Sequence, residues 1–111
     1  MSIPLVLSDK VGIKVAGTYK SAAGAAVPFD FALTCARLDA EQIDLRLKEK
    51  TDETVTDFML EVIQDWSGVC DQASKPVPFT AEAYRALCKI QGVAMLAFRT
   101  YLSDVGAKEK N

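Results

Sequence analysis

The chain has 111 residues and a mass of 12.1 kDa, enough for one domain with a buried core. Half of its residues are hydrophobic and a quarter charged, the balance of an ordinary globular domain, which excludes disordered, collagen-like and coiled-coil chains. A net charge of −2 and a pI near 5.1 argue against a dedicated binder of nucleic acid or of an anionic membrane surface.

In chain order, residues 3–7 read as a short apolar strand followed by a turn at Ser8, Asp9 and Lys10. Val11, Ile13, Val15 and Tyr19 alternate with Gly12, Lys14, Ala16, Thr18 and Lys20, the period of two of a half-buried strand. After a loop at 21–25 containing Gly24, the alternation returns with Val27, Phe29, Phe31, Leu33 and Cys35 on one face and Asp30, Ala32 and Thr34 on the other. A hairpin joining these runs puts both apolar sets on one face. Three strands with one wet face need a cover of helices.

Asp39 with Gln42 three residues on forms a capping box that opens a first helix to about Leu47. Thr51 is the expected cap of a second helix, on which Val55, Phe58, Met59, Val62, Ile63 and Trp66 make an apolar stripe that ends at Gly68. Residues 67–79 read as a loop held by Pro76 and Pro78, with Val77 and Phe79 turned inward. Thr80 caps a third helix carrying Ala83, Tyr84, Leu87 and Cys88 inward, and a fourth runs from about Val93 to Val105, with Gly106 as its C′ residue. The expected architecture is a single α+β domain: a small N-terminal antiparallel sheet of about three strands in 1–38, about four helices in 39–105, and a polar tail at 106–111.

Little in this inventory does chemistry. Histidine is absent, which removes Ser-His-Asp and Cys-His catalysis and the common zinc ligand sets. Cys35, Cys70 and Cys88 show no CxxC spacing, so neither a disulfide framework nor a metal knuckle is written, and a reducing, intracellular setting is expected. Cys35 and Cys88 lie on apolar faces, and Cys70 lies in the loop with no neighbouring base to activate it. There is no glycine-rich phosphate loop. Met1 to Leu7 lacks the basic region of a signal peptide, and no apolar run is long enough to cross a bilayer, so a cytoplasmic protein without cofactor or metal is expected.

Charge is distributed unevenly. Residues 39–65 hold nine acids against three bases, a local net of −6, and the segments on either side are each about +2. On the expected second helix Glu53, Asp57, Glu61 and Asp65 fall at successive i, i+4 steps and form one ridge, at a cost of about 1 kcal/mol in like-charge repulsion. The ridge reads either as a docking edge for a basic partner segment or as a solvated face. Carboxylates at that spacing without a second ligating element seldom hold a cation. Trp66, the only tryptophan, reads as a core anchor fastening the loop after it or as an exposed partner contact.

From Trp66 onward, the order Trp66, Gly68, Val69, Asp71, then Lys75, Pro76, Val77, Pro78, Phe79, Thr80 and Glu82, with a small-residue ending through Gly106 to Asn111, resembles the C-terminal half of tail assembly chaperones of long-tailed bacteriophages. Ser74 stands where those proteins commonly have glycine, and Gln91 where a proline often precedes the glycine. The resemblance implies a non-enzymatic morphogenesis factor in the cytoplasm of a bacterial host. It would coat the tape measure protein, recruit tail tube subunits and be left out of the virion, possessing in many relatives a longer frameshifted form. It also leaves self-association open. A different class, a tail tube or head–tail joining subunit retained in the particle, is the main alternative. A small nucleic-acid-binding regulator is the third, disfavoured by the acidic pI.

Overall fold

The alternating runs form an antiparallel hairpin. The computed structural model describes residues 2–5, 7–49 and 54–106. In it, β1 (Lys10–Lys20) pairs with β2 (Ala26–Ala36) in unbroken register, from Lys10 opposite Ala36 to Lys20 opposite Ala26. The period of two does what it predicts: Val11, Ile13, Val15, Phe31, Leu33 and Cys35 are buried on one face. On the other face Lys14 meets Asp30 at 3.5 Å, both well exposed.

Asp39 and Gln42 close the expected box at the start of α1 (Ala40–Glu49), Gln42 N–H donating to Asp39 Oδ1 at 2.8 Å and Asp39 N–H to Gln42 Oε1 at 2.9 Å. For α2 (Val55–Val62) the cap is Thr54, whose Oγ1 accepts from Asp57 N–H at 3.1 Å. The expected cap, Thr51, lies outside the described residues.

The third strand is not where the apolar N-terminus suggested. Residues 3–5 and 7 carry no strand, and Ile3, Leu5 and Leu7 are exposed. Pro4 removes one ladder donor from a segment only five residues long. Instead α2 stops at Val62, and β3 (Ile63–Ser67) adds antiparallel to β2, giving the order β1-β2-β3. The sheet therefore draws a strand from the region assigned wholly to helices. The spacing that read as helical is that of a bulged strand. Between Thr34 and Cys35 the β2 side advances one residue while β3 steps from Asp65 to Ile63, so Gln64 is the extra residue. The bulge lets Ile63 and Trp66, three apart, both face the core.

Gly68 ends β3 with φ +87, where an added Cβ would come 3.3 Å from the Phe31 Cα. α3 (Ala81–Leu87) begins at Thr80, whose Oγ1 accepts from Ala83 N–H at 3.0 Å. α4 (Val93–Val105) follows and packs on β1 and on α2, which also touches α3. Gly106 follows α4 in an extended conformation, φ −90, so the expected left-handed C′ residue does not form. Instead Arg37 Nη1 donates to the Val105 carbonyl at 2.9 Å.

The buried side chains make one cluster between the sheet and α2, α3 and α4, with Met59, Tyr84, Ala97 and Tyr101 fully enclosed. Phe58 stands edge-on to Phe98 at 5.3 Å and to Tyr101 at 6.0 Å.

Candidate functional site

The four acids expected to form one ridge are divided among different settings. Glu53 lies outside the described residues. Asp57 sits in the first turn of α2, where Arg85 Nη2 on α3 donates to its Oδ1 at 3.0 Å. The Arg85 guanidinium, with the Thr54 cap, holds the Asp57 carboxyl below its ordinary range. Glu61 pairs with Arg46 of α1, whose guanidinium also lies 5.4 Å above the Phe58 ring. Asp65 is on β3, opposite Thr34, and its Oδ1 accepts from the Trp66 N–H at 2.9 Å. The continuous acidic edge is thus corrected. Helix periodicity breaks at Val62, and Asp57 and Glu61 hold α3 and α1 to α2. Nothing in the i, i+4 spacing marks Arg46 and Arg85 as their partners, because both come from other elements.

The corner after β3 is tied together by hydrogen bonds and ring contacts. Trp66 is buried, and its Nε1–H donates to the Val77 carbonyl at 2.7 Å. Phe79 stands edge-on to the indole at 5.3 Å, and Tyr84 lies 6.5 Å from it. Between them the loop folds back on itself. Val77 N–H donates to Val69 O at 2.9 Å, Cys70 bridges Pro76, and Asp71 N–H donates to Lys75 O at 3.0 Å. The Asp71 carboxylate accepts from Ala73 N–H at 2.8 Å and Lys75 N–H at 3.0 Å, an Asx turn that forces Ser74 to φ +61. That left-handed geometry is one that glycine adopts without strain. Gly68, Pro76, Pro78, Phe79 and Thr80 therefore shape a structural return and the start of α3.

Cys35, Tyr84 and Tyr101 are placed for packing. Burial pushes the Cys35 thiol up to about 12 and raises Tyr84 well above its ordinary value. Cys88 is half-buried and Cys70 exposed. Tyr101 Oη bridges two backbone groups, donating to Ala36 O at 2.7 Å and accepting from Leu38 N–H at 3.2 Å. Among the described residues, no three His, Cys, Asp or Glu side chains come together as a metal site would need. No described helix is long and apolar enough to cross a membrane.

A groove of about 760 Å³ lies where the N-terminal segment passes α1 and the end of α4, walled by Leu5, Leu7, Leu38, Ile43 and Leu102. Leu45 and Leu47 on α1 are each about half exposed. The exposure of Leu45 and Leu47 went unread in the sequence, although the signal was present. Ile43, Leu45 and Leu47 repeat every two residues, a period that no single helix face can bury. Comparison with family models, with curated proteins and with solved structures finds no match to this chain.

Proposed function

We propose that the chain is a non-enzymatic tail assembly chaperone of a long-tailed bacteriophage, acting in the host cytoplasm. It binds the tape measure protein and tail tube subunits reversibly. The observation that carries this reading is the corner from Trp66 to Thr80, the part of the sequence that resembles such chaperones. The Trp66–Val77 hydrogen bond, the Trp66–Phe79 contact and the Thr80 cap make it one unit, which explains why those residue types occur together in that order. Ser74 at φ +61 supports the reading further, since the glycine common there in the resembling proteins suits that backbone.

Binding uses apolar surface rather than an acidic edge, because Asp57 and Glu61 are paired within the chain. The groove walled by Leu5, Leu7, Leu38, Ile43 and Leu102 offers a seat for an amphipathic helical stretch of the tape measure protein. The test is co-expression of this chain with the tape measure and tail tube proteins of the same genome, followed by pull-down at low and moderate salt. Capture that persists at moderate salt and is lost in L5K/L7K, both at exposed positions that line the groove, supports the reading. Failure of the folded chain to capture either protein overturns it.

One observation favours a second reading, a structural subunit retained in the virion. The hairpin strands run 11 residues each, and the outer edge of β1 carries no neighbouring strand among the described residues, as suits a subunit that exchanges strands. Detection of the chain in purified particles would decide for that class.

A further inference from the structure

The longest open backbone edge in the fold is the outer side of β1. Ser21 N–H donates to Ala25 O at 2.9 Å and Arg37 N–H to Asp9 O at 2.7 Å, so the odd-numbered residues of β1 carry the ladder to β2. The N–H and C=O groups of Gly12, Lys14, Ala16 and Thr18 therefore point away from the sheet. Among the described residues, β2 is the one strand beside β1.

This edge is also the basic side of an acidic chain. Lys10, Lys14 and Lys20 lie along it. At its far end a cleft of about 350 Å³ opens between Tyr19, Phe29, Met95 and Leu96, with Arg99 in its wall. Tyr19 is 49% exposed and Met95 40%. Asp30, the acid across from this strand, is already engaged by Lys14. α4 packs beneath β1, so a strand laid along the edge would send its inward side chains toward the cleft and its outward ones toward the lysines.

We infer that the outer edge of β1 is a strand-addition site. It takes an extended segment of another protein in which acidic residues alternate with apolar ones. Charge complementarity selects this occupant: outward acids meet Lys20 and compete with Asp30 for Lys14, whose exposed pair at 3.5 Å is weak, and an inward apolar side chain fills the Tyr19–Met95 cleft. A second copy of the chain is disfavoured by the same charges, since pairing two β1 edges brings three lysines from each copy to one seam. This surface stands independently of the tail-assembly reading, and its test uses no tail protein.

The probe is a synthetic seven-residue peptide alternating glutamate and valine, with a lysine–valine peptide as control. Amide hydrogen exchange is followed by NMR at low micromolar protein. The amides of Gly12, Lys14, Ala16 and Thr18 are expected to exchange freely in the chain alone and to slow at least tenfold with the glutamate peptide only. A16P removes one outward N–H without touching the β1–β2 ladder and should abolish that protection. K14E/K20E should weaken peptide binding at least tenfold while leaving the spectrum folded. Three results would overturn the proposal: no protection of those four amides, equal binding of the lysine peptide, or protection in the peptide-free chain that grows with concentration. The last would mean that a second copy occupies the edge.

Discussion

Two tyrosines of equal burial should respond in opposite ways to the loss of one oxygen. Tyr84 and Tyr101 are both fully enclosed. Tyr101 Oη holds the end of β2 and the start of the α1 connection to α4 through its bonds to Ala36 O and Leu38 N–H. Tyr84 Oη is buried with no hydrogen-bond partner; the thiol of Cys88 beside it is a weak one at best. Tyr101→Phe keeps the ring but strands a carbonyl and an N–H in a half-buried site, a loss of about 2–3 kcal/mol. Tyr84→Phe removes a hydroxyl that was desolvated without compensation, so stability should stay level or rise by about 1 kcal/mol. At about 2.1 cal/mol/K per residue, unfolding of the 111-residue chain has an entropy of about 230 cal/mol/K. Tyr101→Phe should therefore melt about 9–13 °C lower, and Tyr84→Phe between 0 and about 4 °C higher. Thermal and urea melts followed by circular dichroism measure both. Equal losses in the two variants, or a loss below about 0.5 kcal/mol for Tyr101→Phe, would refute the assignment of hydrogen bonds on which the contrast rests.

Gly68→Ala should cost about 1–3 kcal/mol in the same melts, since φ +87 and the approach to Phe31 leave no relaxed place for a Cβ. Ser74→Gly should gain about 0.5–1 kcal/mol by relieving the left-handed strain at φ +61. Cys35, at about 12 in the fold against 9.0 unfolded, keeps its proton where the unfolded chain releases one; Tyr84 and Tyr101 are raised in the same direction. Their contribution is complete below about pH 9 and is lost as pH climbs toward 12, so urea midpoints should fall steadily across that window. Iodoacetamide on the native chain should label Cys70 readily and leave Cys35 untouched until denaturant is added, as peptide mass mapping would show.

How much of this was legible depended on whether one period governed a segment. The hairpin was readable because Val11 to Val15 and Phe31 to Cys35 alternate without interruption, and one sheet face buries them all. Caps at Asp39 and Thr80 were readable because their partners are three residues away in sequence. The third strand was not. Val62, Ile63 and Trp66 fit a helical stripe, and only pairing with β2 makes the bulge that lets Ile63 and Trp66 face inward from a strand. Propensity pulled the other way at Val62 and Ile63, two β-branched residues in succession, but long-range pairing settles such conflicts and local patterns do not record it.

The misplaced strand accounts for the misplaced site as well. Extending α2 to Trp66 was what aligned four acids into a ridge. Ending it at Val62 sends Asp65 to the sheet and leaves Asp57 and Glu61 to arginines that arrive from α3 and α1. Two acids of that net −6 run, Asp57 and Glu61, then link neighbouring helices, and a third, Asp39, caps α1. Lysines also line β1, the longer of the two edge strands, whose outer hydrogen-bonding groups have no partner strand among the described residues. Exposed ion pairs contribute little to stability, but an unpaired edge flanked by one sign of charge discriminates strongly between partners. In the strand-addition proposal, the surface that selects an acidic partner is the basic edge, even though the chain as a whole is acidic.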